Sequence, residues 1–351
     1  MSERENPFTL MYGKTALSVV KRTEVAEGVL SKFLSKDPQI LAYLITGIRG
    51  SGKTVFMRSL ADELSKQGWI VVDLNPQGDL MTSFSQRLYA QGQLQKLFAD
   101  WSLTVSVPYM SLTVKKGQVI TEPDIIAEEL LKKAKEKGKR VLVTIDEANA
   151  TKELRYFANF YQSAIGRGYK LFLLMTGLKE NIERITADKG MSFLSRTPKI
   201  ELGPLDALAI ASQYQKEFAV SEERAVEFAK ITKGYAFAYQ VLGYFLYESG
   251  GTEVDEALLS KYQEYLWHNG YDILWKDLTP KEKLFCQALA ETDGAAKDVM
   301  AKAGMKESNF QNYRKRLIDK GFIVSKEYGT LSFALPCFAP FASMMGHLEA
   351  E

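Results

Sequence analysis

Up to Pro204, the apolar residues of this chain alternate between short unbroken runs and longer stretches where they return every third or fourth position. The runs at 40–45, 69–74, 141–145 and 171–175 predict short strands, with the apolar character of strands buried on both faces. The helical spacings between them predict helices over 55–66, 79–90, 93–100, 121–137 and 151–165, with Gly68 and Gly138 as stops and an N-cap near Thr121. Strands and helices in this alternation specify an α/β fold, a parallel sheet with right-handed crossovers. A last strand is predicted over 199–202. One segment interrupts the scheme. Ser102-Leu103-Thr104-Val105 and Ser111-Leu112-Thr113-Val114, on either side of Pro108, predict a β-hairpin inserted near 102–116. It is either an edge ribbon that only packs or a hairpin that binds a partner.

Beyond Pro204 the strand signals stop. Amphipathic helices are predicted over 205–218, 221–232, 236–248 and 254–269, punctuated by Gly234 and Gly250-Gly251. Thr279 and Pro280 then open a helix as N-cap and first helical position. Shorter helices over 296–303 and 308–319 end at Gly304 and Gly321, and two apolar segments flank Glu327-Tyr328-Gly329 as a hairpin. Helix, turn, helix and β-wing in that order predict a C-terminal winged helix–turn–helix. The expected division is 1–203 for the α/β unit, 204–275 for a helical lid and 276–351 for the winged helix.

Length and composition add bounds. A chain of 351 residues calls for two or three cores. The formal net charge of +2 leaves any electrostatic argument local. Cys286 and Cys337 lie far apart among apolar neighbours and read as buried free thiols of a reducing compartment. No signal-peptide pattern opens the chain and no apolar run reaches spanning length, so the expectation is a cytoplasmic protein without a membrane partner.

The chemistry concentrates after the first strand. Gly47-Ile48-Arg49-Gly50-Ser51-Gly52-Lys53-Thr54, followed by Val55, fits GxxxxGK[ST] between a predicted strand and a predicted helix. The glycines let successive N–H groups turn inward around a phosphate, and the helix contributes its positive end. Lys53 is expected at the β- and γ-phosphates and the Thr54 hydroxyl on Mg²⁺. Arg49 either stabilises this loop or touches a partner. The strand 141–145 ends in Asp146-Glu147, with Asp146 expected to hold Mg²⁺ and Glu147 to orient or deprotonate the attacking water. Thr176 ends the next strand and either positions that water or caps the following helix. Arg196 is either an arginine finger for a neighbour's γ-phosphate or the partner of a surface acid. In the C-terminal segment, Asn309, Gln311, Asn312, Tyr313, Arg314, Lys315 and Arg316 offer contacts to phosphates and base edges, with Phe310, Leu317 and Ile318 as anchors.

Taken together these residues resemble the AAA+ ATPases, and within them the branch linking STAND-type ATPases with origin-recognition initiators. Gly47 to Thr54 is similar to the Walker A motif of that family and Ile145-Asp146-Glu147 to its Walker B motif. Asn6-Pro7-Phe8 and the region from Arg22 to Glu24 look like its N-terminal segment near the adenine. Thr176 to Ile182 resembles its sensor segment, and Ser195-Arg196 through Leu205 its arginine-bearing entry to the lid. The resemblance implies ATP and Mg²⁺ as cofactors, hydrolysis of ATP to ADP, and duplex DNA, a protein partner or a homo-oligomer at the other end of the switch. Gly234-Tyr235-Ala236 departs from the pattern: Ala236 stands where proline is common, no arginine lies nearby, and Lys233 is the near cation. Two readings follow, an ATP-hydrolysing switch acting through the winged helix and a nucleotide-stabilised regulator with negligible turnover. A loader or initiator acting as an oligomer at DNA is a third, and it requires Arg196 to act in trans.

Overall fold

The computed structural model describes residues 5–11, 16–90, 112–113, 119–326 and 329–350. The chain divides into two compact units, one of Thr23–Thr46 with Lys53–Glu201, the other of Met1–Arg22, Gly47–Gly52 and Leu202–Glu351.

The first unit is the α/β one. In chain order it holds α1 (Thr23–Leu34), β1 (Ala42–Thr46), α2 (Lys53–Lys66), β2 (Ile70–Leu74), α3 (Leu80–Ala90), β3 (Leu112–Thr113), β4 (Val119–Ile120), α4 (Pro123–Glu136), β5 (Val141–Ile145), α5 (Lys152–Gly166), β6 (Leu171–Gly177), α6 (Lys179–Ala187) and β7 (Lys199–Glu201). Five strands form one parallel sheet in the order β2-β5-β6-β1-β7. Every residue of β1, β5 and β6 is buried, as central strands covered on both faces must be, whereas the edge strand β7 is not. One face packs Leu44, Val72, Val143 and Leu173 against α3, α4 and α5. The other carries an aromatic cluster in which Phe33 and Trp69 meet Phe172 at ring-centroid distances of 4.9 and 4.5 Å.

Three sequence expectations shift. The strand expected over 171–175 runs on to Gly177, which puts Thr176 inside β6. Leu112 and Thr113 pair antiparallel with Ile120 and Val119, so this tetrapeptide's partner is a segment downstream of the expected hairpin. Ser102 to Val105 and the helix expected over 93–100 lie outside the described residues. The cap residue of α4 is Glu122 rather than Thr121, with Pro123 at the first helical position and no side-chain cap bond.

The second unit is helical. It contains α7 (Ala207–Phe218), α8 (Glu222–Thr232), α9 (Ala236–Glu248), α10 (Glu256–Leu266), a π-helical turn (Trp267–Tyr271), α11 (Asp272–Lys276), α12 (Pro280–Ala290), α13 (Ala296–Lys302), α14 (Glu307–Asp319), β8 (Ile323–Ser325), β9 (Leu331–Phe333) and α15 (Phe338–Ala350). The two strands pair antiparallel, with Ile323 opposite Phe333. One apolar core runs from Phe8, Tyr214 and Tyr239 through Tyr271 and Trp275 to Phe285, Phe310 and Phe338. The segments 204–275 and 276–351 therefore share a core. The terminal helix α15, absent from the sequence reading, supplies Phe338, Phe341 and Ala342 to it. Ile318 corrects another expectation: Phe310 and Leu317 are buried, but Ile318 is 38% exposed because it lies off their stripe. Both cysteines are free; Cys286 is buried and Cys337 only half-buried. Among the described residues no helix is long and apolar enough to cross a membrane.

Candidate functional site

The loop Gly47–Gly52 belongs to the helical unit, and three of its successive carbonyls are taken from outside. The Tyr235 hydroxyl donates to the Arg49 carbonyl at 2.9 Å, the Phe237 amide to the Gly50 carbonyl at 3.0 Å, and the Arg22 guanidinium to the Ser51 carbonyl at 3.2 Å. Arg22 also donates to the carbonyls of Gly203 and Pro204, at 2.6 and 3.4 Å, and its burial lowers its pKa. Three carbonyls are thus satisfied from outside the loop, while the Ser51 amide donates to the Ile48 carbonyl at 3.1 Å; glycine-rich loops of this kind form anion nests. Gly50 has φ +73° and Gly52 φ +89°, left-handed values that glycine adopts freely. A Cβ on Gly50 would stand 2.4 Å from the Tyr235 oxygen. The Ser51 hydroxyl is buried without a hydrogen-bond partner, an acceptor-seeking group inside the cradle. These features fit a bound phosphate.

Other residues of the motif have plainer roles. Arg49 pairs with Asp277 at 3.3 Å, which realises the loop-stabilising alternative and, being half-exposed, contributes at most about 1 kcal/mol. Ile48 packs on the helical core. The Val55 side chain is partly exposed on α2.

In the α/β unit, Lys53 and Thr54 open α2, and Lys53 is buried. The Thr54 hydroxyl donates to one oxygen of Asp146 at 2.8 Å. The Thr176 hydroxyl donates to the other and accepts the Glu147 amide at 3.0 Å. The topology explains the meeting. Because β6 lies between β1 and β5, the C-terminal end of β6 falls between the start of α2 and the end of β5. Thr176 is fully buried and is not a helix cap, since Leu178 holds that position before α6 without a side-chain bond. Glu147 is exposed and has φ +53°, a left-handed value uncommon outside glycine and found at sites where backbone strain serves a purpose. Among the described residues no three His, Cys, Asp or Glu side chains gather as a metal cluster. Mg²⁺ does not need one, because it commonly takes one or two protein oxygens beside substrate phosphates and water.

The remaining candidates separate. Arg196 ends a 3-10 turn (Lys189–Arg196), is exposed, and has no hydrogen bond or ion pair among the described residues, so the surface-acid alternative is not realised there. Lys233 donates to the Phe333 carbonyl of β9 at 3.1 Å, and burial lowers its pKa. On α14, Asn309, Asn312 and Arg316 are exposed along one stripe, while Tyr313 packs on the core. Arg314 folds back, donating to Ser325 of β8 at 2.8 Å and to Gln311 at 3.3 Å, with its Nε buried and unpaired. Its guanidinium thus braces the helix on the hairpin. Arg22, Tyr235 and Phe237 were not singled out as phosphate-loop residues, and two of their three bonds run through backbone groups or a phenol that carry no motif.

A protein family described as a domain of unknown function (DUF8462) matches residues 269–342. No curated protein matches the chain. Among solved structures, the ORC2 protein of Aeropyrum pernix, described in ADPNP–ADP complexes, is similar with a TM-score of 0.60 and 14% identity over 93% of each chain. Cdc6p from Pyrobaculum aerophilum is similar with a TM-score of 0.47 and 16% identity, over 94% of this chain and 93% of that one. At such identities the likeness is one of fold, a five-stranded parallel α/β sheet followed by a helical region.

Proposed function

We propose that the chain is an ATP-dependent switch that binds ATP with Mg²⁺, hydrolyses it, and engages DNA through a winged helix–turn–helix built from α12 to α14 and the β8–β9 hairpin. The observation that carries this reading is the hydrogen-bonded line Thr54–Asp146–Thr176–Glu147. Hydroxyl and carboxylate oxygens beside a glutamate are groups that phosphoryl transfer to water uses, which supports the reading. The nucleotide-bound description of the ORC2 structure supports it.

In this reading the loop amides and Lys53 hold the β- and γ-phosphates of the substrate. Thr54 and Asp146 are the oxygens that would hold Mg²⁺, which when bound supplies charge neutralisation to those phosphates. Glu147 accepts the proton of the attacking water, and Thr176 keeps Asp146 and the Glu147 backbone in register. The γ-phosphate bond to the β-phosphate oxygen breaks as the bond to the water oxygen forms. Asn309, Asn312 and Arg316 face the DNA.

The second reading, a nucleotide-stabilised regulator with negligible turnover, is favoured by Lys233. The cation nearest the family's sensor position is engaged by the Phe333 carbonyl. Equilibrium nucleotide binding measured beside turnover separates the readings. Lys53→Ala should abolish binding, whereas Glu147→Gln should bind ATP normally and lose hydrolysis; equal turnover in Glu147→Gln and wild type refutes the role given to Glu147. Arg196 acts in trans only in an oligomer, and a strict monomer in size-exclusion chromatography with and without ATP removes that role.

A further inference from the structure

Between 132 and 140, six residues are Lys or Arg and one is acidic, a net of +5 in a chain whose total is +2. The structure shows where this charge goes. It sits at the end of α4 and in the loop before β5, at the N-terminal edge of the sheet, opposite the edge that carries Thr54, Asp146 and Thr176. Three of its cations fan out to the loops entering the other strands. Arg140 donates to the Phe33 and Ser35 carbonyls at the end of α1 and just after it, Lys139 to the Gly68 carbonyl after α2 at 3.2 Å, and Lys135 to the Arg167 carbonyl after α5 at 3.3 Å. Right-handed crossovers bring the C-terminal ends of these helices to one edge, and their partial negative charge favours cations there.

Capping accounts for those three cations, and a pair with Glu136 accounts for Lys133. Lys132 and Lys137 are exposed and form no ion pair among the described residues; so is Lys170, in the loop before β6. Lys32, Lys36 and Lys66 add to the same edge from α1, the loop after it, and the end of α2. Glu63 and Glu136 pair with Lys66 and Lys133, and Glu128 with Arg167, which neutralises a minority of the charge. Like charges one helical turn apart, as at Lys132 and Lys135, cost about 0.2–0.5 kcal/mol per pair. Stability alone does not select such a cluster.

We infer that this edge is a second docking surface for the phosphate backbone of double-stranded nucleic acid, separate from α14 and from the nucleotide site. A field of cations on a firmly capped edge is what backbone recognition uses. The surface lacks the apolar complement of a membrane-lying face: among large apolar side chains Leu34, 37% exposed, is the one exposed there among the described residues. The inference does not rest on the winged-helix reading.

The test is binding of a mixed-sequence DNA duplex by the full chain across a salt series, for wild type, for Lys132→Gln/Lys137→Gln/Lys170→Gln, and for Asn312→Ala/Arg316→Ala on α14. None of the three lysines caps a helix through its side chain. The triple variant should bind more weakly, and its slope of log affinity against log salt should flatten by up to about 2.7, at ~0.9 for each phosphate no longer neutralised. The same three positions changed to Arg should keep the wild-type slope, and Lys170→Gln alone should flatten it by about 0.9, which keeps the test open if the triple variant folds poorly. Wild-type affinity and slope in the neutralised variants overturn the proposal. So does loss of binding to phosphatidylserine vesicles with DNA binding intact, which would make the edge a membrane surface.

Discussion

Asp146 is the residue on which the candidate site turns, and it takes both of its close donors from hydroxyls of neighbouring elements, Thr54 and Thr176. The consequence is a division of labour that a motif search does not reveal. Thr176 stands where a water-positioning side chain was expected, yet in the structure its donor is spent on Asp146 and its acceptor on the Glu147 amide. Glu147, in turn, keeps a left-handed backbone that this amide bond helps to fix. Replacing Thr176 by Val preserves volume but strands an oxygen of the half-buried Asp146 and the Glu147 N–H group, at a cost of about 1 kcal/mol. Thermal denaturation should report that loss, turnover should fall sharply with ATP affinity nearly unchanged, and Thr176→Ser should restore both. Turnover unaffected in Thr176→Val would remove Thr176 from the site.

At the scale of elements, the phosphate loop and the start of α12 show two ways of satisfying orphan backbone groups. The loop's carbonyls are met by Tyr235, the Phe237 amide and Arg22, so its shape is set by the cap and first turn of α9 and by the N-terminal segment ending at Arg22. At α12, Thr279 and Glu282 form a reciprocal capping box, and the fully buried Glu282 also accepts from Lys320 at the end of α14 at 3.0 Å. Burial by itself would raise the Glu282 pKa, but the Thr279 amide, Lys320 and the Thr279 hydroxyl outweigh it and hold the carboxyl below the ordinary glutamate value. A carboxylate with a lowered folded pKa contributes stability that is present above its unfolded value and lost as pH falls through its folded value. Stability of the helical unit should therefore decline on acidification below the ordinary glutamate range. Glu282→Gln should flatten that decline in urea-unfolding curves taken across the acid range, and an unchanged acid limb would contradict the assignment.

For the whole molecule, what was legible in the sequence followed the strength of the local signal. The strands β1, β2, β5 and β6 were readable to within a residue or two because central strands of a parallel sheet are uninterrupted apolar runs. The GxxxxGK[ST] pattern at 47–54 stands out in the sequence because glycine geometry and phosphate chemistry fix its spacing. The pairing of Leu112–Thr113 with Val119–Ile120 was not, because two-residue strands carry no periodicity. Nor was α15, whose apolar residues are dispersed among Pro340, Gly346 and small side chains. The shared core of the segments 204–275 and 276–351 is a tertiary fact with no local signature, and so is the fan of cations at the N-terminal sheet edge. The meeting of Thr54 and Thr176 at Asp146 is another tertiary fact, since the three residues lie on separate elements far apart in the chain.

The central claim is that this arrangement hydrolyses ATP and couples the reaction to DNA. Steady-state ATP turnover of wild type and Glu147→Gln, with and without mixed-sequence duplex DNA, addresses it most directly. The account predicts turnover in the wild type that rises with DNA and is absent in Glu147→Gln under both conditions. Tight ATP binding with no turnover in either protein, whether or not DNA is present, would contradict it and leave the nucleotide as a structural ligand.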